Sequence, residues 1–219
     1  MAPRQSADTA ARREVIETAR EMSRRGLSPG RSGNVSQRWH DGMLITPSGM
    51  AYDALTPADV VFVDVHGRAK GKRKPSSEWL FHLACHAARP DMHAVVHTHS
   101  MHAVVLSCTG KPIPAFHYMV AVAGGPDIPC VPYATFGTEA LARNVASGIA
   151  ERNACLMAHH GMIALGTTLP AALDLASEVE TLAEQYCKVL TLGRPALLSA
   201  SEMADVLERF KSYGQKAQG

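Results

Sequence analysis

His97 and His99 flank a threonine at the end of the apolar run Ala94-Val95-Val96. In an extended strand residues i and i+2 point to the same face. Both imidazoles therefore project together. A second histidine-rich strand end, Ala158-His159-His160-Gly161, follows, and Pro75-Ser76-Ser77-Glu78 precedes the first pair. Three imidazoles and a carboxylate suit a catalytic divalent metal. We read His97, His99 and His160 as ligands through neutral ring nitrogens, at ~2.0–2.1 Å if the ion is zinc, with a coordination position left for substrate. His159 alternates with His160 and should face the other way. His160 is the expected ligand, because Gly161 lets the chain approach closely. His82, His86, His102 and His117 are assigned surface or core roles. Imidazole sites also accept manganese, cobalt or iron.

Glu78 has two compatible jobs. At N2 or N3 of a helix its carboxylate would pair with the dipole and the first amides. Beside a metal it could alternate between ligating the ion and carrying a proton. Three short turns, Gly33-Asn34, Ser48-Gly49 and Ser76-Ser77, are rich in amides or hydroxyls. The last opens a helix, where exposed amides favour an anion such as phosphate. Ordinary capping explains any one of these turns taken alone.

The elements that must hold these groups follow from periodicity and turn signals. Val15, Ile16, Ala19 and Met22 form the apolar stripe of a helix over residues 9–25, with Gly26 as its cap. Residues 35–39 and 43–46 form a hairpin around the turn dipeptide Asp41-Gly42. Residues 60–65 are a buried, β-branched strand. Ser76 or Ser77 caps a helix reaching about Ala88, which Pro90 closes. Strands are predicted at 93–97 and around Val104 or 118–122. Leu141, Val145 and Ile149 mark another helix. Residues 155–158 and 162–165 are short strands around the His-His-Gly turn. A long helix covers 169–192, and Met203, Val206, Leu207 and Phe210 define a last one. The expected class is α/β, one domain over residues 1–219, with a largely antiparallel sheet under packed helices.

Composition narrows the function. Apolar residues make up 46% and charged residues 19% of 219, enough for a sizeable core. The formal net charge is +2, with the signs mixed. No basic stripe indicates nucleic acid, and the short patch Gly71-Lys72-Arg73-Lys74 reads as a solvated turn, though together with Ser76 and Ser77 it could also draw in an anion. No segment approaches the ~20 apolar residues of a membrane span. The start Met-Ala-Pro-Arg-Gln-Ser has no apolar stretch that could act as a signal. Five scattered cysteines without CxxC spacing point to thiols in a reducing compartment, hence a cytoplasmic enzyme.

The ordered blocks SGNVS (32–36), ITPSGM (45–50), KPSSEW (74–79), AVVHTHS (94–100), IPAFHYM (113–119), AGG..IPC.PYATFGT (123–138) and HHGMIA (159–164) resemble the class II aldolase and epimerase family, in its aldolase branch. The likeness runs over nearly the whole chain, through Phe210-Lys211-Ser212-Tyr213-Gly214. It implies a central, mostly antiparallel sheet between helical layers and a homotetramer with active sites at subunit interfaces. It implies one zinc per subunit on His97, His99 and His160, with Glu78 a ligand until substrate arrives. It implies a phosphate cradle of Gly33, Asn34, Ser48, Gly49, Ser76 and Ser77. Tyr118 would reach in from a neighbouring subunit, and Tyr213 would border the active site. The implied reaction is reversible cleavage of a ketose 1-phosphate to dihydroxyacetone phosphate and a short aldehyde. L-Fuculose, 5-deoxyribulose and 5-methylthioribulose 1-phosphates are the candidate substrates. Glu78 stands where the sugar-phosphate 4-epimerases of the family carry aspartate. The methylthioribulose-1-phosphate dehydratases share the metal core but not the flanking blocks. A non-catalytic metal- or sugar-phosphate-binding protein would need neither Glu78 nor Tyr118.

Overall fold

A computed structural model describes residues 2–30 and 32–211, without the side chains of residues 2–6. In chain order the elements are α1 (Ala2–Arg24), β1 (Asn34–Trp39), β2 (Gly42–Ile45), β3 (Val61–Asp64), β4 (Ala69–Lys70), α2 (Trp79–Ala88), β5 (Ala94–Thr98), α3 (Met101–Ser107), β6 (Cys130–Val131), α4 (Glu139–Gly148), β7 (Ala154–Met157), β8 (Gly161–Gly166), α5 (Leu169–Leu192) and α6 (Ala200–Phe210). Short 3-10 segments lie at Tyr52–Ala54, Pro57–Asp59 and Tyr118–Ala123. The strands form one sheet in the order β4-β3-β2-β1-β5-β8-β7-β6. Every pairing is antiparallel except β6 with β7.

The central strands are covered on both faces, and their alternation shows how. Ala94, Val96, Ala154, Leu156, Met162 and Ala164 join the core under α1, α3 and α5. The interleaved Val95, Cys155, Met157, Ile163 and Leu165 join a second core with Phe81 and Cys85 of α2 and Leu141 and Val145 of α4. Strand periodicity thus sorts neighbouring residues into opposite layers. His97 follows Val95 onto the α2 side, where its ring meets Phe81 edge-on at 5.2 Å. Asn34 is its direct cross-strand partner.

Several local expectations are corrected. Trp39 pairs with Gly42, so the hairpin turn is His40-Asp41 and Gly42 is a strand residue. His40 carries the positive φ of 48°. Gly42 is required instead by the next strand, since a Cβ there would lie 2.1 Å from the Val63 carbonyl oxygen. Gly42→Ala should therefore push β2 from β3 and cost at least about 1–3 kcal/mol. Thermal unfolding should register this as a drop of several degrees; an unchanged midpoint would contradict the close approach.

Val104 is helical, not extended, because Glu180 of α5 accepts the His102 and Ala103 amides at 2.9 and 3.0 Å and so starts α3. Tyr118–Ala123 is a 3-10 segment, not a strand; His117 Nδ1 accepts the Met119 amide and Gly124, at φ 84°, ends it. The first helix extends back to Ala2. Its end matches the expectation: Leu27 N–H bonds to Met22 O and Gly26 N–H to Ser23 O, the Schellman arrangement. No helix among the described residues is long and apolar enough to cross a membrane.

Candidate metal centre and anion cavity

Helix α2 begins at Trp79, with Glu78 at the N-cap and its side chain making no cap hydrogen bond. This differs from the N2 or N3 position expected from the sequence. Ser76 Oγ instead accepts the Glu78 amide at 3.3 Å, and Trp79 N–H bonds to Ser76 O. The carboxylate is thus released from capping and turned to the ends of β5 and β8. Its Oε1 lies 2.9 Å from His160 Nε2 and its Oε2 3.2 Å from His97 Nε2. His99, one residue past β5, places Nε2 2.9 Å from His97 Nε2. One ligating atom from each of the four residues falls within 4.8 Å of the other three.

The donor set fits a divalent metal. His97 Nδ1 is 2.9 Å from the Met162 carbonyl, which can only accept. That nitrogen therefore carries a proton, and Nε2 faces the cluster, where its lone pair would be offered to a bound cation, as in metal-binding histidines held from behind. Burial and the neighbouring His97 and His160 push His99 down to about 4, so it is neutral at pH 7. Burial alone would raise the Glu78 carboxyl. The charge of His97 and the hydrogen bonds from His160 and His97 outweigh it and hold the group well below the usual carboxylate range.

Gly161 is needed here as anticipated: a Cβ would stand 2.4 Å from Thr98 O. His159 takes the positive φ of 57° in the turn, which aims His160 inward. His159 still borders the adjoining cavity, where Tyr133 meets its ring edge-on.

That cavity, about 360 Å3, is lined by all six anion candidates, Gly33, Asn34, Ser48, Gly49, Ser76 and Ser77, together with Glu78, His99 and His160. Two of the turns are stitched together: Ser48 N–H bonds to Lys74 O and Ser76 N–H to Thr46 O. Gly33, at φ 91°, packs so tightly that a Cβ would lie 2.7 Å from His97 O. Tyr52 donates to Gly33 O at 2.6 Å.

The sequence reading missed Tyr52, Tyr133 and Phe136 as cavity residues. Tyr133 and Phe136 are exposed aromatics in the PYATFGT loop, and only their position at the mouth singles them out. Tyr118 is half exposed and does not line the cavity of its own chain. Tyr213 lies outside the described residues.

His82 and His86 of α2 are buried and face β1. Ser36 Oγ lies 2.7 Å from His82 Nδ1 and 3.0 Å from His86 Nε2. Burial, followed by the charges of Arg38 and His93, pushes His86 down to about 3 from 6.5. A depressed base contributes stability that is complete above its unfolded pKa and is lost as pH falls toward the folded one. The metal-free chain should therefore weaken steadily between about pH 6.5 and 3, by on the order of several kcal/mol. Urea unfolding at pH 7 and pH 4.5 measures this, and His86→Gln should flatten the slope. Equal midpoints at both pH values would contradict the assignment.

The sequence profile described as Class II Aldolase and Adducin N-terminal domain matches residues 13–187. A 5-methylthioribulose-1-phosphate/5-deoxyribulose-1-phosphate aldolase of Rhodospirillum rubrum is 55% identical over 209 residues, covering 95% of each chain. An L-fuculose phosphate aldolase of Escherichia coli is 50% identical over 203 residues, covering 92% of this chain and 94% of that one. A solved L-fuculose 1-phosphate aldolase superposes with a TM-score of 0.89 at 38% identity, covering 93% and 97% of the two chains.

Proposed function

The chain belongs to the class II aldolase family, and we propose that it reversibly cleaves a ketose 1-phosphate between C3 and C4 to dihydroxyacetone phosphate and a short aldehyde. One observation carries this reading. Four convergent ligating atoms adjoin a cavity that is also lined by the three amide- and hydroxyl-rich turns. His97, His99 and His160 hold one divalent cation, with Glu78 as a displaceable fourth ligand; zinc suits the nitrogen-rich set. When bound, the cation acts as a Lewis acid toward the negative charge that develops on the dihydroxyacetone phosphate fragment.

The chain's own residues do the rest. Gly33, Asn34, Ser48, Gly49, Ser76 and Ser77 hold the phosphate and so fix the C3–C4 bond relative to Glu78. During cleavage the C4 hydroxyl loses its proton as it becomes the aldehyde. The electron pair left on C3 takes up a proton. Glu78 delivers that proton, and removes it in the reverse direction. Its ionisation depends on His97 and His160; once the carboxylate swings away from them, burial raises its proton affinity. Tyr118 of a neighbouring copy exchanges the proton on the aldehyde oxygen. Its exposure and its absence from its own cavity support a place at the interface of a homotetramer. Tyr213 borders the same site. The five free cysteines favour a reducing, cytoplasmic setting.

Tyr133, Ala134 and Phe136 line the cavity beside the phosphate turns, and we assign them to the aldehyde end. One or two atoms in an apolar pocket discriminate by only ~1–3 kcal/mol, so related tails should all be accepted at different rates. The test is a panel of L-fuculose, 5-deoxyribulose and 5-methylthioribulose 1-phosphates, read as dihydroxyacetone phosphate release. Release from none of them, or an epimer or dehydrated product in its place, overturns the proposal.

A further inference from the structure

Between α2 and β1 runs a seam of polar side chains. Glu78, His82 and His86 are spaced one helical turn apart along α2, and Asn34, Ser36 and Arg38 alternate along β1 onto the same face. Of these, Asn34, Ser36, Glu78, His82 and His86 are buried. Asn34 Nδ2 donates to Glu78 Oε2 at 2.9 Å, and its Oδ1 meets His82 Nε2. Arg38 closes the far end by donating to His86 O.

The donor–acceptor chemistry allows one direction only. Glu78 is ionised and can only accept, so the Asn34 amide nitrogen must face it. The Asn34 carbonyl then faces His82 and can only accept, so His82 Nε2 carries a proton. A neutral His82 has a bare Nδ1, which takes the Ser36 hydroxyl proton. Ser36 Oγ, its proton committed, accepts from His86 Nε2–H. His86 Nδ1 is left bare, and it is one of three buried side-chain polar atoms without a partner among the described residues. The orphan falls where this chain must end, on an acceptor. The reverse direction would set the Asn34 carbonyl against the Glu78 carboxylate.

We propose that His86, Ser36, His82 and Asn34 form a one-way hydrogen-bond chain that makes His82 a positioning residue, holding the Asn34 amide toward both Glu78 and the phosphate end of the cavity. Asn34 has two N–H groups; one serves Glu78 and the other is left for the anion that the cavity takes. A flipped amide would fail at both. Burial pushes His82 well down, in keeping with a neutral ring. The consequence for turnover rests on the aldolase reading; the tautomer does not.

Nitrogen NMR of the 15N-histidine-labelled protein, with and without zinc, tests the chain directly. The signal lost in His82→Gln identifies His82. Its Nε2 should be protonated and its Nδ1 pyridine-like at neutral pH, with the same pattern for His86. A His82 protonated on Nδ1 overturns the proposal. His82→Leu should lower kcat/KM by about 10–100-fold, raising KM as well as reducing kcat, whereas His82→Gln, which keeps a donor toward Asn34, should recover most of the loss. Equal activity in wild type and His82→Leu, or no recovery by Gln, also overturns it. Should His82→Leu not fold, Ser36→Ala serves: His82 should keep its Nε2 proton, held by the Asn34 carbonyl, while its Nδ1 signal shifts on losing the Ser36 hydroxyl, and an unaltered Nδ1 signal would refute the Ser36 link of the chain. A wild type inert toward every ketose 1-phosphate, yet showing this tautomer, would defeat only the catalytic reading.

Discussion

Glu78→Gln should lose about 10²–10⁴-fold in ketose 1-phosphate cleavage while still binding one metal per chain. The substitution keeps the length of the side chain and an oxygen that can accept the Asn34 amide. It removes the proton-carrying function and the negative charge beside His97 and His160. Three imidazoles remain, so metal content by elemental analysis should stay near stoichiometric at saturating zinc. Dihydroxyacetone phosphate release, measured on the same samples, should collapse. Loss of turnover with retained metal separates the proton-transfer role from ligation. Unchanged turnover would remove Glu78 from the chemistry and leave it an N-cap residue with an ion pair.

His99→Ala should abolish cleavage at ordinary zinc concentrations through loss of the metal. A direct ligand is expected to matter more than a supporting residue, whose loss costs about 10–100-fold in metal affinity. His99 is a cleaner test than His97. The His97 Nδ1–H satisfies the buried Met162 carbonyl, so truncating it would also cost about 1–3 kcal/mol of stability. His99 is only half-buried, and its ring nitrogen contacts His97 rather than a buried backbone group. The variant should keep the melting temperature of metal-free wild type while its zinc titration shifts to much higher concentration. Added zinc should restore part of the activity. An unshifted titration would mean that the trio His97, His99 and His160 is not the site.

The convergence of the candidate ligands was largely legible along the chain. Two histidines at strand spacing share a face because the strand period is two, whatever the rest of the molecule does. Gly161 permits close approach because it has no Cβ, and the 2.4 Å clearance to Thr98 O shows that the approach occurs. The long helix α5 and the antiparallel character of the sheet followed from apolar periodicity and short connections. Local pattern was a weaker guide where a distant residue intervened. Val104 lies in a β-branched stretch, yet Glu180 from α5 captures the amides that start a helix there. The dipeptide Asp41-Gly42 has the composition of a turn, yet Gly42 is consumed by the approach of β3.

His82 and His86 were invisible as a unit. Helical spacing puts them on one face, but only the packing of α2 on β1 shows that Asn34 and Ser36 lie opposite. Residue types and spacing determined which atoms could ligate, accept or donate. Tertiary structure decided which of them meet and which way the protons point, because hydrogen-bond direction depends on both partners and these come from distant parts of the chain.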